Sequence, residues 1–226
     1  MSAPCSKTAA EYQKKGIAAL IFDFDGTLAV PTLDFSIMRR NAIAALEHHT
    51  AAPDRPDLPI MELLALVGTR TKAAKEGVAA ALEAIRTVEL EAAKRSALFP
   101  FVRPMLARLK DLGLVMGIVT RNCPEALRTV FPDAAEFGPV LTRDDVPNIK
   151  PDPAHLAAAL TLLHVAPRNA LMVGDHVMDI ELGKRAKTFT AAVASGEHSA
   201  KRLADAKPDY LAADGDELMC LLGITP

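Results

Sequence analysis

Short, continuous apolar runs recur along the 226-residue chain. The first is Ile17 to Phe22, which carries no polar residue at alternate positions. Such a run predicts a strand that is buried on both faces of a parallel sheet, because each face then needs apolar side chains. The same pattern predicts strands over residues 114–120, 140–142, 170–175 and 188–193.

Between these runs, apolar residues recur every three or four positions, which is the spacing of one helix face. This spacing predicts helices over residues 102–112, 124–131, 152–164, 177–186 and 216–222. Parallel strands need crossover connections, and helices commonly supply them. The alternation therefore predicts an α/β fold with a doubly wound, Rossmann-like parallel sheet.

Residues 31–99 lack the strand pattern. Helical spacing there covers residues 33–48, 60–67 and 71–98. We therefore expect a core domain of residues 16–30 and 100–226, with an all-helical domain of residues 31–99 inserted after the first strand. Residues 1–15 are polar and predict an N-terminal tail rather than a signal peptide.

Composition and charge argue against several classes of protein. The net charge is −2, the isoelectric point is near 6.3 and no basic stripe occurs, which disfavours nucleic-acid and membrane-surface partners. No apolar run is long enough to span a membrane. The three cysteines are far apart, which indicates neither a disulfide framework nor a zinc site. We expect a cytoplasmic protein, and the pattern does not indicate an oligomeric state.

Two acids, Asp23 and Asp25, follow the first strand. Gly26 ends the strand, so we expect both carboxylates at its carboxyl end, the edge where parallel sheets bind ligands. Neighbouring carboxylates repel each other unless a cation or a shared proton neutralises them, and oxygen ligands favour Mg²⁺. The alternative is that the two acids only end a strand and begin a turn.

The second strand is followed by Thr120, Arg121 and Asn122. A hydroxyl, free amide groups and the positive end of the next helix together provide donors for a phosphate group. We expect Asn122 to cap that helix, with Pro124 in its first turn and Glu125 at the capping-box position. The alternative is that these residues do no more than start the helix.

Lys150 and two further acids follow the later strands. Asp175 ends the fourth strand, and Asp179 lies one helical turn later on the same side. In isolation, Lys150 is typical of a solvated lysine, and the two acids are typical of a helix N-terminus. Together with the preceding residues, they place four acids, a threonine and a lysine at one edge of the predicted sheet.

This combination resembles the haloacid dehalogenase-like superfamily, in particular its phosphatases. Asp23-Phe-Asp-Gly-Thr-Leu is similar to the first motif of that family, Thr120 to the second, Lys150 to the third, and Gly174-Asp175 through Asp179 to the fourth. The resemblance covers residues 17–30 and 100–226 in the same order. By position and helicity, the insertion is similar to the small cap of the phosphoglycolate phosphatase-like branch.

The resemblance implies a Mg²⁺-dependent phosphatase that acts on a small phosphorylated metabolite, either phosphoglycolate-like or a sugar phosphate. It implies that Asp23 is the nucleophile, forming an aspartyl-phosphate, and that Asp25 acts as acid and then base. The implied metal residues are Asp23, Asp175, Asp25 through its backbone carbonyl, and Asp179 through water or by orienting Lys150. The implied phosphate-binding residues are Thr120, Arg121, Asn122 and Lys150.

Other functions stay open at this point. A sugar-phosphate mutase keeps the same core residues and differs in whether the closed cap excludes water. A non-catalytic phosphate- or metal-binding protein can share the fold. Phosphonate cleavage would need a cap lysine such as Lys72 or Lys75. His176 stands where the family commonly has a small polar residue, and we interpret it as a helix-capping residue near solvent.

Overall fold

The computed structural model describes residues 16–52, 55, 57–68 and 71–224. The expected N-terminal tail, residues 1–15, lies outside the described residues. The chain divides into two compact units, one containing the chain up to Pro31 and from Ser96 onward, the other Thr32–Arg95. The second unit lies within the segment 31–99 that the sequence predicts as a helical insertion.

The first unit is built on a parallel sheet of six strands. These are β1 (Ala19–Phe22), β2 (Val115–Val119), β3 (Val140–Leu141), β4 (Ala170–Gly174), β5 (Phe189–Val193) and β6 (Tyr210–Ala212). Their spatial order is β3-β2-β1-β4-β5-β6, and every neighbouring pair is parallel. The strand order reverses at β1, and doubly wound sheets bind ligands beside such a reversal. The predicted fold class is confirmed.

The described residues form α-helices in both units. In the helical unit they are α1 (Phe35–Glu47), α2 (Ile60–Gly68) and α3 (Lys72–Ala93). In the sheet unit they are α4 (Val102–Asp111), α5 (Pro124–Val130), α6 (Pro153–Leu162), α7 (Val177–Ala186), α8 (Ala200–Asp205) and α9 (Gly215–Leu221). The α-helices of the sheet unit alternate with its strands, and all but α8 lie where the apolar spacing predicts a helix.

Alternate residues of β1 face two hydrophobic layers. Leu20 and Phe22 pack into the layer that contains side chains of α4, α5 and α9, whereas Ala19 and Ile21 pack into the layer of α6 and α7. Phe22 is 1% exposed, and burying a side chain of this size stabilises the fold by about 1.5–3 kcal/mol. The continuous apolar run therefore reflects a strand that is covered on both faces.

The helical unit has a core of its own. Buried residues of α1, α2 and α3, including Leu46, Leu63 and Ile85, form one cluster. Asp34 caps α1 by accepting hydrogen bonds from two backbone amides, and Thr71 caps α3 by accepting one. These capping side chains satisfy amides that a helix N-terminus otherwise leaves without partners.

The structure differs from the sequence prediction in three places. Helix α8 and strand β6 are absent from the prediction because both are short: α8 has six residues, three of them charged, and β6 has three residues. The helix predicted to reach residue 98 ends at Ala93. It ends there because the chain beyond it pairs with the segment after β1: Val30 donates a backbone hydrogen bond to Ala97, and Ala29 forms a bridge with Leu98.

Candidate active site

Three strands end beside one another at the carboxyl edge of the sheet, and each is followed by a polar residue. Asp23 follows β1, Thr120 follows the neighbouring β2, and Asp175 follows β4 on the other side. Parallel strands bring their carboxyl ends to the same edge, so residues far apart in sequence become neighbours. The Asp23 carboxylate accepts a hydrogen bond from the Phe24 amide at 2.6 Å, which fixes its direction.

Three carboxylates gather at this edge. Asp23, Asp175 and Asp179 each offer one oxygen, and these oxygens all lie within 4.8 Å of one another. Asp175 and Asp179 are buried, at 5% and 1% exposure. The Asp25 carboxylate does not belong to this group.

Lys150 joins two of the three carboxylates. It lies in the loop between β3 and α6 and is 2% exposed. Its Nζ is 2.7 Å from Asp23 Oδ1 and 2.9 Å from Asp179 Oδ1. Burial disfavours the ammonium form, but attraction from Asp179 and Asp23 outweighs it and raises the pKa of Lys150. The lysine is therefore a buried cation and not a solvated surface residue.

Burial and crowding act on the other two acids. Burial, followed by repulsion from Asp23, raises the pKa of Asp175 and also the pKa of Asp179, where the attraction of Lys150 opposes the rise. One buried ammonium thus leaves the group of three carboxylates with an excess of negative charge.

Small residues and turns hold Asp175 in place. Its carboxylate accepts hydrogen bonds from the Thr27 hydroxyl at 3.3 Å and the Glu197 amide at 3.0 Å. Gly26 has φ of +77°, and a Cβ there would overlap the Asp175 carboxylate. Gly26 therefore supplies both a left-handed turn and room for the acid.

Thr120 and Asn122 form a second group of polar side chains beside the acids. The Thr120 hydroxyl accepts a hydrogen bond from the Asn122 amide at 3.0 Å, and Asn122 Nδ2 donates to Asp25 Oδ2 at 3.0 Å. Within the described chain, no acceptor is found for the Thr120 hydroxyl proton, although the residue is only 1% exposed. The structure therefore connects Asp25 to the end of β2.

The prediction that Asn122 caps α5 is wrong. The N-cap residue is Cys123, without a side-chain capping bond, and Pro124 occupies the first turn as predicted. The Asn122 side chain cannot cap because its amide group donates to Asp25 and its Oδ1 accepts from the Cys123 amide at 2.9 Å. A tertiary contact has replaced the local one.

Arg121 is half-buried and is held at both its side chain and its backbone. Its Nη1 lies 3.3 Å from Met178 Sδ, at the start of α7. Its carbonyl accepts a hydrogen bond at 3.1 Å from the guanidinium of Arg143, a residue that is only 8% exposed. Sequence reasoning missed Arg143, although its position just after β3 was a usable signal.

His176 is the N-cap of α7, as the sequence analysis predicts. Its Nδ1 accepts a hydrogen bond from the Met178 amide at 3.0 Å, and its own amide donates to Asp179 Oδ2 at 3.3 Å, which completes a capping box. The imidazole is half-buried and lies against His198, with ring centroids 3.8 Å apart. Asp179 therefore has two roles: it completes the capping box at the start of α7, and it binds the Lys150 ammonium group.

The arrangement of these residues agrees with the comparison of the chain with known families. The model of the haloacid dehalogenase-like hydrolases matches residues 20–193, which is most of the chain. The protein belongs to the haloacid dehalogenase-like hydrolases. The resemblance inferred from the four motifs is thereby confirmed at the level of the family.

Two relatives of this haloacid dehalogenase-like hydrolase are named pyrophosphatase PpaX. The PpaX of Bacillus velezensis is 29% identical over 221 residues, covering 93% of this chain and 98% of that protein. The PpaX of Anoxybacillus flavithermus is 36% identical over 121 residues, covering 52% of this chain and 56% of that protein.

Solved structures show the same fold. A hydrolase from Pseudomonas syringae has a TM-score of 0.72 at 20% identity, with 92% of this chain and 100% of that chain covered. CbbY from Rhodobacter sphaeroides, crystallised with phosphate, has a TM-score of 0.61 at 22% identity, with 88% and 94% covered. Among the described helices of the present chain, none has the length and apolar character needed to cross a membrane.

Proposed function

We propose that this hydrolase is a Mg²⁺-dependent phosphatase that acts on a small phosphorylated metabolite through an aspartyl-phosphate on Asp23. The observation that carries the proposal is the pair of contacts of Lys150 with Asp23 and Asp179, at 2.7 and 2.9 Å. A buried lysine in this position orients one carboxylate and offsets charge as the phosphate approaches. The match of residues 20–193 to the family model supports the same chemistry.

The donor set fits a Mg²⁺ ion. Carboxylate oxygens are the ligands that Mg²⁺ prefers, and three of them converge here with only one buried ammonium beside them. We propose that Asp23, Asp175 and the backbone carbonyl of Asp25 hold the ion, and that Asp179 supports it from behind while orienting Lys150. When bound, Mg²⁺ supplies positive charge that lets an anionic nucleophile meet an anionic phosphate.

In the first step, an Asp23 oxygen attacks phosphorus and the bond to the leaving oxygen breaks. Asp25 donates its proton to that leaving oxygen, so the product departs as an alcohol or acid. In the second step, Asp25 takes a proton from water, the water oxygen attacks phosphorus, and the Asp23 carboxylate is released with inorganic phosphate. The bond from Asn122 Nδ2 to Asp25 Oδ2 at 3.0 Å keeps Asp25 oriented for both steps.

We propose that Thr120, Lys150 and the backbone amide of Arg121 stabilise the oxygens of the transferring phosphoryl group. The hydroxyl proton of Thr120 suits this role, since the described residues provide no other acceptor for it. The Asn122 amide donates to Thr120 and its side chain donates to Asp25, so Asn122 contributes mainly by holding these two residues. Preorganised donors of this kind stabilise charge in the transition state.

The first test is phosphate release with and without Mg²⁺ from p-nitrophenyl phosphate, phosphoglycolate, sugar phosphates and pyrophosphate. We expect monoester hydrolysis that requires Mg²⁺. Pyrophosphate belongs in the panel because the relatives cited above are named pyrophosphatases. Faster release from pyrophosphate than from every monoester would contradict the monoester assignment while leaving Asp23 as the nucleophile.

The Asp23→Asn variant tests the nucleophile. It should lose turnover by at least about a thousandfold, because the amide cannot form the acyl phosphate. In a single turnover in heavy-oxygen water, the label should enter inorganic phosphate and leave the Asp23 carboxylate unlabelled, because water attacks phosphorus in the second step. Asp214→Asn is the matched control, because Asp214 caps α9 and asparagine caps equally well. Substantial Mg²⁺-dependent turnover by Asp23→Asn would contradict the proposal.

A further inference from the structure

His155 is a histidine with no exposed surface, and the steps proposed above do not use it. It lies in the first turn of α6, five residues after Lys150. The Lys150 backbone amide donates to His155 Nδ1 at 3.2 Å, and His155 Nε2 lies 3.2 Å from the carbonyl oxygen of Leu141, the last residue of β3. Both ring nitrogens therefore have partners.

These two partners fix the tautomer of the ring. Nδ1 receives an N–H and must be unprotonated, whereas Nε2 faces a carbonyl oxygen and must carry the proton. Burial and the neighbouring charge of Lys150 lower the pKa of His155 to about 4, against smaller opposing effects from the Leu141 hydrogen bond, Asp23 and Asp145. At neutral pH the imidazole is therefore neutral, as the two hydrogen bonds require.

The Leu141 carbonyl connects this histidine to the other side of the site. The same oxygen accepts the backbone amide of Thr120 at 3.0 Å. One carbonyl thus receives bonds from the residue that follows β2 and from the ring that holds the Lys150 amide. The path from Thr120 to Lys150 runs through Leu141 and His155 and consists of hydrogen bonds of 3.0–3.2 Å.

We propose that His155 is a positioning residue that fixes the Lys150 loop relative to the end of β2, so that Lys150 and Thr120 meet the phosphoryl group in one arrangement. This inference rests on the proposed phosphatase function. Lys150 follows a loop of several residues after β3, and such a loop does not by itself define where its backbone lies. The hydrogen bond from the Lys150 amide to the ring fixes the backbone there, and the ring has no role in binding the phosphate or in the group of three carboxylates.

Three substitutions separate the two hydrogen bonds of the ring. His155→Asn keeps an acceptor near Nδ1 for the Lys150 amide, His155→Gln keeps a donor near Nε2 for Leu141, and His155→Leu keeps neither. Leu160→Ala is the control, because Leu160 lies on the same helix, is buried and takes no part in the network. It should lower thermal stability by packing loss alone.

We expect His155→Leu to lower kcat for p-nitrophenyl phosphate by about tenfold to a hundredfold, because small displacements of catalytic groups have effects of this size. His155→Asn should recover most of that loss and His155→Gln less, because only asparagine can still accept the Lys150 amide. Orthovanadate inhibition should weaken in parallel with kcat. The Mg²⁺ concentration for half-activation should stay within about twofold, since the three carboxylates are untouched.

A second readout does not depend on turnover. In the wild-type chain, NMR of the imidazole nitrogens should show a protonated Nε2 and an unprotonated Nδ1, and the Lys150 amide should be protected from hydrogen exchange. That protection should fall in His155→Leu and persist in Leu160→Ala. A protonated Nδ1, or a Lys150 amide whose exchange ignores the substitution, would overturn the inference.

The kinetic and NMR results also distinguish this inference from the proposed function. An active wild-type chain whose His155→Leu variant has the same kcat as Leu160→Ala contradicts the positioning role alone. A wild-type chain that hydrolyses no phosphate ester contradicts the proposed function, and with it the catalytic part of the inference, even where NMR shows the network intact.

Discussion

The candidate site has two sides that are built on different principles. The acid side comprises Asp23, Asp175 and Asp179, at the ends of β1 and β4 and the start of α7. The donor side comprises Thr120, Asn122 and His155, beside the ends of β2 and β3. Buried carboxylates repel one another on the acid side, whereas the groups of the donor side are neutral and joined by hydrogen bonds.

This difference determines what each side needs in order to stay in place. The donor side needs no added charge, because its groups are neutral and most of their buried polar atoms are hydrogen-bonded. The acid side needs positive charge, and the chain supplies only part of it through Lys150. We conclude that metal ions and pH act mainly on the acid side, whereas sequence changes that break hydrogen bonds act mainly on the donor side.

Lys150 is the residue that connects the two sides, so its removal should have the largest effect. Lys150→Met leaves Asp23 and Asp179 without their shared cation in a buried setting. Without Mg²⁺, we expect the free energy of unfolding to fall by about 3 kcal/mol at pH 8, by analogy with other broken buried ion pairs. Turnover should fall by about a thousandfold at any Mg²⁺ concentration.

Denaturant unfolding and phosphate release measure these two effects of Lys150→Met. Lys201→Met is the control, because Lys201 pairs with Asp205 on an exposed helix surface at 3.2 Å and such pairs contribute little. If Lys150→Met had the same midpoint of denaturant unfolding as the wild-type chain, the lysine would not be needed to stabilise the acid side.

The residues that directly follow strands were predictable from sequence, because strand ends are visible in the apolar pattern. Asp23, Asp175 and Thr120 each follow a continuous apolar run, and parallel strands bring their ends to one edge. The residues of this edge could therefore be chosen without coordinates. Their roles rest on the resemblance, since an acid after a strand is also typical of a turn.

The contacts inside the donor side were not predictable in the same way. Local spacing predicts that Asn122 caps α5, yet its side chain bonds to Asp25, which is distant in sequence. His155 carries no local signal, because a histidine in the first turn of a helix is unremarkable until its ring is seen to reach Lys150 and Leu141. Tertiary hydrogen bonds override local preferences where a polar partner is close.

A metal titration at different pH values tests the dependence of the acid side on charge. The pKa of Asp175 is raised to about 6 and that of Asp179 to about 7, chiefly by burial. The folded chain without metal therefore binds more protons than the unfolded chain between about pH 4 and 7. The contribution of these two acids to the free energy of unfolding therefore falls as pH rises through this range. Mg²⁺ replaces those protons, and its stabilising effect should grow from pH 5 to pH 8.

The measurement is the melting temperature at each pH with and without saturating Mg²⁺. At pH 8 and a hundredfold excess over the dissociation constant, we expect a stabilisation of about 2.7 kcal/mol. His155 and His176, whose pKa values are lowered to about 4, change stability in the opposite direction as pH rises. At any one pH, the difference between the melting temperatures with and without Mg²⁺ therefore gives the effect of the metal alone. An equal Mg²⁺ effect at pH 5 and pH 8 would contradict the charge argument.

The smallest effect is expected where the acid side meets the start of α7. His176 accepts the Met178 amide through Nδ1, and asparagine can place an oxygen at the same point. His176→Asn should therefore lose only the ring contact with His198, whereas His176→Ala should lose the cap as well, with about 1 kcal/mol separating the two variants in unfolding. Mg²⁺ activation should be the same in both, because neither changes a carboxylate. If His176→Asn weakened Mg²⁺ activation while keeping the stability, the imidazole ring itself would position the carboxylates of the acid side, and His176 would be more than a helix cap.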